Sequence, residues 1–153
     1  MSSTVTNGTI TQFIAQCRQN GLKVTPQRIA IYRVLRESPD HPSADAVYRK
    51  MASTCPTISF DTVNRTLLTF AGIGIIDTVE SYAATRRFDT DTTQHHHMHC
   101  VQCGQITDFC DPLIDAVTVP EEVALHFTVL GSRMVVSGIC RSCSEKSEPV
   151  SCD

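Results

Sequence analysis

Two Cys-x-x-Cys pairs, Cys100-Val-Gln-Cys103 and Cys140-Arg-Ser-Cys143, stand 36 residues apart in this chain. One such pair holds one face of a metal ion or works as a dithiol redox couple. Two pairs close a tetrahedral four-cysteine site of the structural zinc kind. Zn2+ is the expected ion, and a dithiol redox couple is the alternative. Gly104, directly after the first pair, suits the tight turn of a zinc knuckle. Ligands so far apart in the chain would staple everything between them into one small domain. Cys17, Cys55, Cys110 and Cys152 lack this spacing and read as buried or free thiols.

Immediately upstream runs Gln94-His95-His96-His97-Met98-His99. On a β-strand His95, His97 and His99 share one face and His96 takes the other. Alternating imidazoles are good ligands for zinc, iron or manganese, and Asp89, Asp91 and Asp108 offer carboxylates nearby. A donor set of imidazole and carboxylate without thiolate suits Fe2+ or Mn2+ better than a closed structural zinc site. The plain alternatives are a solvated polar strand or a leftover affinity tag, although the run is internal and broken by Met98. Two metal sites of different character are therefore expected.

These residues need a scaffold, and the composition constrains it. The chain has 153 residues, eight cysteines, six histidines, 41% hydrophobic residues and a formal charge of −3. Two domains of about 75 residues each are marginal on core burial alone, so at least one is expected to need a metal or a partner chain. The composition is that of a folded protein rather than a disordered one. No apolar run approaches the roughly 20 residues of a membrane span. The N-terminus lacks the basic and apolar regions of a signal peptide, so a cytoplasmic location with reduced thiols is expected. Charge is split: residues 1–87 hold ten Lys/Arg against six Asp/Glu, and residues 88–153 hold three against ten. The first half suits a polyanion and the second suits cations.

Within the basic half, Ile10, Phe13, Ile14 and Cys17 recur at helical spacing and stop before Asn20-Gly21. Thr25-Pro26 starts a second helix, Ser43 caps a third, and Ser59 caps a fourth with Val63, Leu67, Leu68 and Phe70 inward and Gly72 closing it. The run Ile73, Ile75, Ile76, Val79, Tyr82, broken at Asp77 and Glu80-Ser81, reads as a hairpin. Short helices followed by a two-stranded hairpin suggest a winged helix-turn-helix, whose last helix enters the DNA major groove. That helix presents Asp61, Thr62, Asn64 and Arg65, after its cap Ser59, while Lys23, Arg28, Arg49 and Lys50 are placed to meet phosphates. A plain helical domain with a solvated basic face remains open at this level.

Taken together, the motifs resemble the ferric uptake regulators. The landmarks are Leu22-Lys-Val-Thr-Pro-Gln-Arg28, His41-Pro-Ser-Ala-Asp45, the Ser59–Leu67 helix, Arg87-Phe-Asp89, His95-x-His97-x-x-Cys100-x-x-Cys103-Gly104, Asp108-Phe109 and Cys140-x-x-Cys143. The resemblance implies a dimeric, metal-dependent repressor of α+β class. It would have a winged-helix domain (1–84), a hinge (85–89) and a metal-binding α/β dimerisation domain (90–153) with the four-cysteine zinc site. It also implies Cys100, Cys103, Cys140 and Cys143 as structural zinc ligands. His41, Asp89, His95, His97 and Asp108 would be the regulatory Fe2+ or Mn2+ ligands. The candidate DNA contacts are Lys23, Arg28, Ser59, Thr62, Asn64 and Arg65, on a palindromic operator bound by the homodimer.

The peroxide-sensing branch carries Asp where this chain has Asp89 and Asp108, whereas iron-uptake regulators usually carry Glu there. Iron regulators also place a histidine where Ser132 stands, and zinc-uptake regulators a cysteine near Glu80–Tyr82. These features favour the peroxide branch, in which bound iron reacts with peroxide and His41 and His95 match the residues oxidised. An iron-uptake or other metal-uptake regulator is the alternative. A metalloenzyme or a metal-storage protein fits the ligands but not the basic first half, so no enzymatic activity is expected. Position 64, usually Tyr in the family, is Asn here, which unsettles the familiar thymine contact.

Overall fold

The computed structural model describes residues 7–80 and 85–147. The chain divides into two compact units, Met1–Thr92 and Thr93–Asp153.

The first unit contains α1 (Asn7–Gln19), α2 (Pro26–Glu37), α3 (Ala44–Thr54), α4 (Phe60–Gly72), β1 (Asp77–Val79) and β2 (Arg87–Asp89). Three of its helix starts are set by hydroxyl caps. Thr25 Oγ1 accepts from Arg28 N at 3.2 Å, Ser43 Oγ from Ala46 N at 3.2 Å and Ser59 Oγ from Thr62 N at 3.1 Å. Each satisfies an otherwise orphaned helical N–H, an interaction whose loss costs about 1 kcal/mol. The helices pack around Phe13, Tyr32 and Phe70, with Phe13 stacked on Tyr32 at 4.2 Å and edge-on to Phe70 at 5.2 Å. Val47, Met51, Val63, Leu67, Ile75, Ile76 and Phe88 complete the core.

Helix α4 runs to Gly72, but the residue that turns the chain is Gly74, at φ +77°. Gly74 N donates to Ala71 O at 3.2 Å and Ile75 N to Phe70 O at 3.0 Å, the paired bonds of a Schellman turn. This turn corrects the expected hairpin. Ile73, Ile75 and Ile76 are not strand residues, and the latter two drop into the core. The strand is Asp77–Val79, and it pairs antiparallel with Arg87–Asp89 in the register Asp77↔Asp89, Thr78↔Phe88, Val79↔Arg87. Tyr82 lies outside the described residues, as does Cys152. Arg87–Asp89, expected within the hinge, is thus a strand of this sheet. Leu68, expected inward, is exposed.

The second unit contains β3 (His96–Cys100), β4 (Ile106–Phe109), α5 (Pro112–Asp115), α6 (Glu121–Ala124), β5 (Val135–Gly138) and α7 (Arg141–Ser147). β3 is central, antiparallel to β4 and parallel to β5. Asp111 caps α5 by accepting from Leu113 N at 2.7 Å and Ile114 N at 3.3 Å.

Candidate metal centres and nucleic-acid interface

The parallel register of β3 and β5, ending in Cys100↔Gly138, brings both Cys-x-x-Cys segments to one end of the sheet. Cys100 ends β3, and the chain reverses through Gly104 at φ +76°, whose N–H donates to Cys100 O at 2.9 Å. Cys140 leads into α7, where Ser144 N reaches back to its carbonyl at 2.9 Å. The four sulfurs lie within 4.8 Å of one another, and Cys103 Sγ is 3.8 Å from Cys140 Sγ. Four sulfurs placed tetrahedrally at about 2.3 Å from a zinc ion are about 3.8 Å apart, so this donor set fits zinc. None of the seven described cysteines is in a disulfide.

Proton affinity is divided unevenly across the cluster. Backbone N–H groups of Cys103 and Cys140 aimed at Cys100 lower its pKa to about 6, the latter donating to Sγ at 3.3 Å. Cys143 shares its proton with the Cys140 sulfur and is partly desolvated, which pushes it to about 12. Zinc requires thiolates, so its uptake at neutral pH must displace the Cys143 proton, and affinity rises with pH.

Of the imidazole and carboxylate donors, His41 and Asp89 belong to the first unit and His95, His97 and Asp108 to the second. In the first unit, His41 Nε2 lies 3.1 Å from Asp89 Oδ2, and both side chains are buried. The segment before α3 is tied to β2: Phe88 N donates to Pro42 O at 3.0 Å and Arg87 Nε donates to His41 O. Asp89 is oriented further by Asp91 N, which donates to its Oδ1 at 2.8 Å.

In the second unit, His95 Nε2 and His97 Nε2 are 3.0 Å apart, and Asp108 Oδ1 is 3.4 Å from His97 and 3.9 Å from His95. The cross-strand register His97↔Asp108 puts these two side by side, and the strand alternation puts His95 on the same face. His95 Nδ1 donates to Thr93 O at 2.7 Å, which leaves the lone pair on Nε2 facing its neighbours. Ligands about 2.1 Å from one ion and at right angles to each other are about 3.0 Å apart, so this trio also fits a metal.

His96, on the opposite face, has both nitrogens occupied. Its Nε2 donates to Asp115 Oδ1 at 2.9 Å and its Nδ1 accepts from Met134 N at 3.1 Å. It is a buried structural histidine that ties β3 to α5 and the start of β5. Neither Asp115 nor the Thr93 carbonyl was singled out by sequence: the first is a partner 19 residues away, which leaves no local signal, and the second is a backbone group that every residue carries. His99 is buried, yet it belongs to neither metal-capable group found among the described residues.

On α4, Asn64 is half-buried and Arg65 is exposed. Arg65 reaches Asp61 at 3.6 Å, an open ion pair of little strength. Ser59 and Thr62 share a hydroxyl contact of 2.9 Å besides the cap. Lys23 is exposed, whereas the half-buried Arg28 guanidinium donates to Lys23 O. Arg49 pairs with Asp45 at 2.6 Å, and Lys50 donates to Ser38 Oγ at 2.9 Å. Among the described residues, no helix is long and apolar enough to cross a membrane.

The sequence model of the ferric uptake regulator family matches residues 19–137. A peroxide-responsive repressor, PerR, of Staphylococcus saprophyticus is 39% identical over 136 residues, covering 87% of this chain and 90% of that protein. The Helicobacter pylori ferric uptake regulator shares the fold, with a TM-score of 0.73 over 92% of this chain and 95% of that one, at 23% identity. The Pseudomonas aeruginosa ferric uptake regulator with manganese superposes with a TM-score of 0.67 at 26% identity, over 83% of this chain and 96% of that one.

Proposed function

Since the chain belongs to the ferric uptake regulator family, we propose that it is a metal-dependent transcriptional repressor that senses peroxide through iron-catalysed oxidation of its own histidines. Cys100, Cys103, Cys140 and Cys143 hold structural Zn2+. His41 and Asp89 of the first unit, with His95, His97 and Asp108 of the second, hold one regulatory Fe2+ or Mn2+. The winged helix, residues 1–84, reads DNA through α4 and the cations Lys23 and Arg28. It is joined to a dimerisation domain, residues 90–153, through a hinge at residues 85–89, whose last three residues also close the sheet of the first unit.

The observation that carries the reading is the His95–His97–Asp108 trio, with its Nε2 atoms 3.0 Å apart and its His95 tautomer set by Thr93 O. Ferrous iron, when bound, supplies one-electron chemistry with hydrogen peroxide that oxidises a ligand imidazole. The protein's part is to hold imidazoles as neutral donors, to bury them, and to make DNA binding depend on them. A ligand drawn from each unit couples metal occupancy to the placement of the two recognition helices on a palindromic operator. Oxidised His41 or His95 is a weaker donor, and the coupling is lost with it.

The dimer is supported by the apolar surface of the second unit, where Leu113, Leu125, Phe127, Leu130 and Ile139 are all exposed. Such a surface on a small unit fits a homodimer interface. The reading makes the chain a regulator rather than an enzyme, working in the cytoplasm, where thiols stay reduced.

The test is anaerobic loading with Fe2+ or Mn2+, followed by peroxide, peptide masses and a gel shift on operator DNA. The iron-loaded protein is expected to gain oxygen on His41 or His95 peptides and to release DNA, while the manganese-loaded protein does neither. A likeness to ferric uptake regulators of H. pylori and P. aeruginosa favours a second reading, a simple iron sensor. That reading stands if iron promotes DNA binding and peroxide leaves both histidines unmodified.

A further inference from the structure

Residues 60, 64 and 68 of α4 lie four apart and form one stripe along the helix. Its two ends are Phe60, 44% exposed, and Leu68, 37% exposed, the only large hydrophobics of the first unit left open among the described residues. A soluble helix gains nothing by presenting such side chains to water. Phe60 is nonetheless held in place, its ring edge-on to Tyr48 with centroids 6.0 Å apart. Between them sits the half-buried Asn64.

The polar neighbours of Asn64 are engaged with each other. Ser59 bonds Thr62, Asp61 pairs with Arg65, and Thr69 Oγ1 donates to Arg65 O at 2.9 Å. The Asn64 amide enters none of these contacts. A carboxamide offers one donor and one acceptor side by side, the complement of the N7 and N6–H2 groups of adenine in the major groove. Apolar side chains match the thymine methyl. An uncharged amide has no special advantage at a phosphate, and one flanked by apolar groups loses its water on docking, so an unmatched base is penalised.

Given the reading of the chain as a DNA-binding repressor, on which this rests, we propose that Asn64 is a specificity-determining residue that reads an adenine. Phe60 and Leu68 cover thymine methyls on either side, so that α4 selects A·T pairs in the centre of its contact. Arg65 stays available for phosphate or guanine.

The test is selection from random duplex DNA by the full-length chain, loaded with Zn2+ and Mn2+, as wild type, Asn64→Ala and Asn64→Asp. The wild type is expected to enrich an inverted repeat with an A·T pair in each half-site preferred by roughly 5- to 150-fold. Asn64→Ala loses the preference at that position alone. Asn64→Asp, which accepts but does not donate, moves it toward cytosine. Thermal midpoint and Mn2+ binding stay unchanged in both variants, since Asn64 supports neither the core nor the metal groups. If all three proteins enrich the same bases and the variants bind uniformly more weakly, Asn64 contacts the backbone and the proposal is overturned while the repressor reading survives. If the wild type enriches no metal-dependent repeat, the repressor reading falls, and this proposal with it.

Discussion

The two units bury opposite things. The first closes over a conventional core, with Phe13, Ile31, Val47, Val63, Leu67, Phe70 and Ile76 fully shielded. The second shields only Cys100 and Ile106 among its described hydrophobics, and what it buries instead is His95, His96, His97 and His99. Most of its large apolar side chains face outward, Leu130 at 96% exposure. A unit with metal ligands inside and hydrophobics outside cannot draw its stability from burial within one chain. The first unit therefore owes its fold to its own side chains, the second to zinc and, on the reading above, to a second copy.

The sharpest way to break this contrast is to take the zinc away. Chelation, or Cys140→Ser, is expected to unfold the second unit and leave the first intact. Structural zinc contributes about 10 kcal/mol or more in small domains. Thermal circular dichroism should then show one surviving helical transition, and loss of both transitions together would mean that the units share one cooperative core. The same release should follow acidification, because protons compete with zinc for the four sulfurs. Release that grew as pH rose would contradict the assignment of thiolate ligands.

A smaller effect of opposite location is expected from Phe70→Ala, which empties the contact with Phe13 and Tyr32. It should cost about 3–5 kcal/mol, lower the midpoint of the helical transition, and leave zinc stoichiometry unchanged. Zinc loss in this variant would show that the units are not energetically separate. Smallest is Thr25→Ala, which removes the α2 cap and should cost about 1 kcal/mol, read as a shift of a few degrees in the first unit alone.

Much of the first unit was legible because its signals are local. A hydroxyl before a helical run caps it, and Thr25, Ser43 and Ser59 each do so. The hairpin was misplaced for a related reason: β-rich isoleucines look alike in a strand and in a core-bound turn, and the Gly74 Schellman turn sends Ile75 and Ile76 inward. Strand β2 begins after a stretch with no strand pattern of its own, so its pairing with β1 was out of reach of periodicity. Leu68 shows the same limit, since helical spacing gives a face but not what covers it.

At the sites, the residue types and spacings already named the donor atoms. Two Cys-x-x-Cys pairs mean thiolate donors, and His95 and His97 two apart on a strand mean two imidazoles on one side, whatever the surroundings. Those properties follow from covalent geometry and side-chain chemistry. What the chain alone left open was the sorting of equals. His95, His97 and His99 are indistinguishable as types on one strand face, and although the family motif singles out the first two, the physical reason lies in the register of β3 with β4 and the Thr93 carbonyl, as the reach of Asp115 makes His96 a structural pin. The reason is physical: a ligand is defined by what stands within about 3 Å of its lone pair, and the neighbours at that distance are brought there by folding from far along the chain.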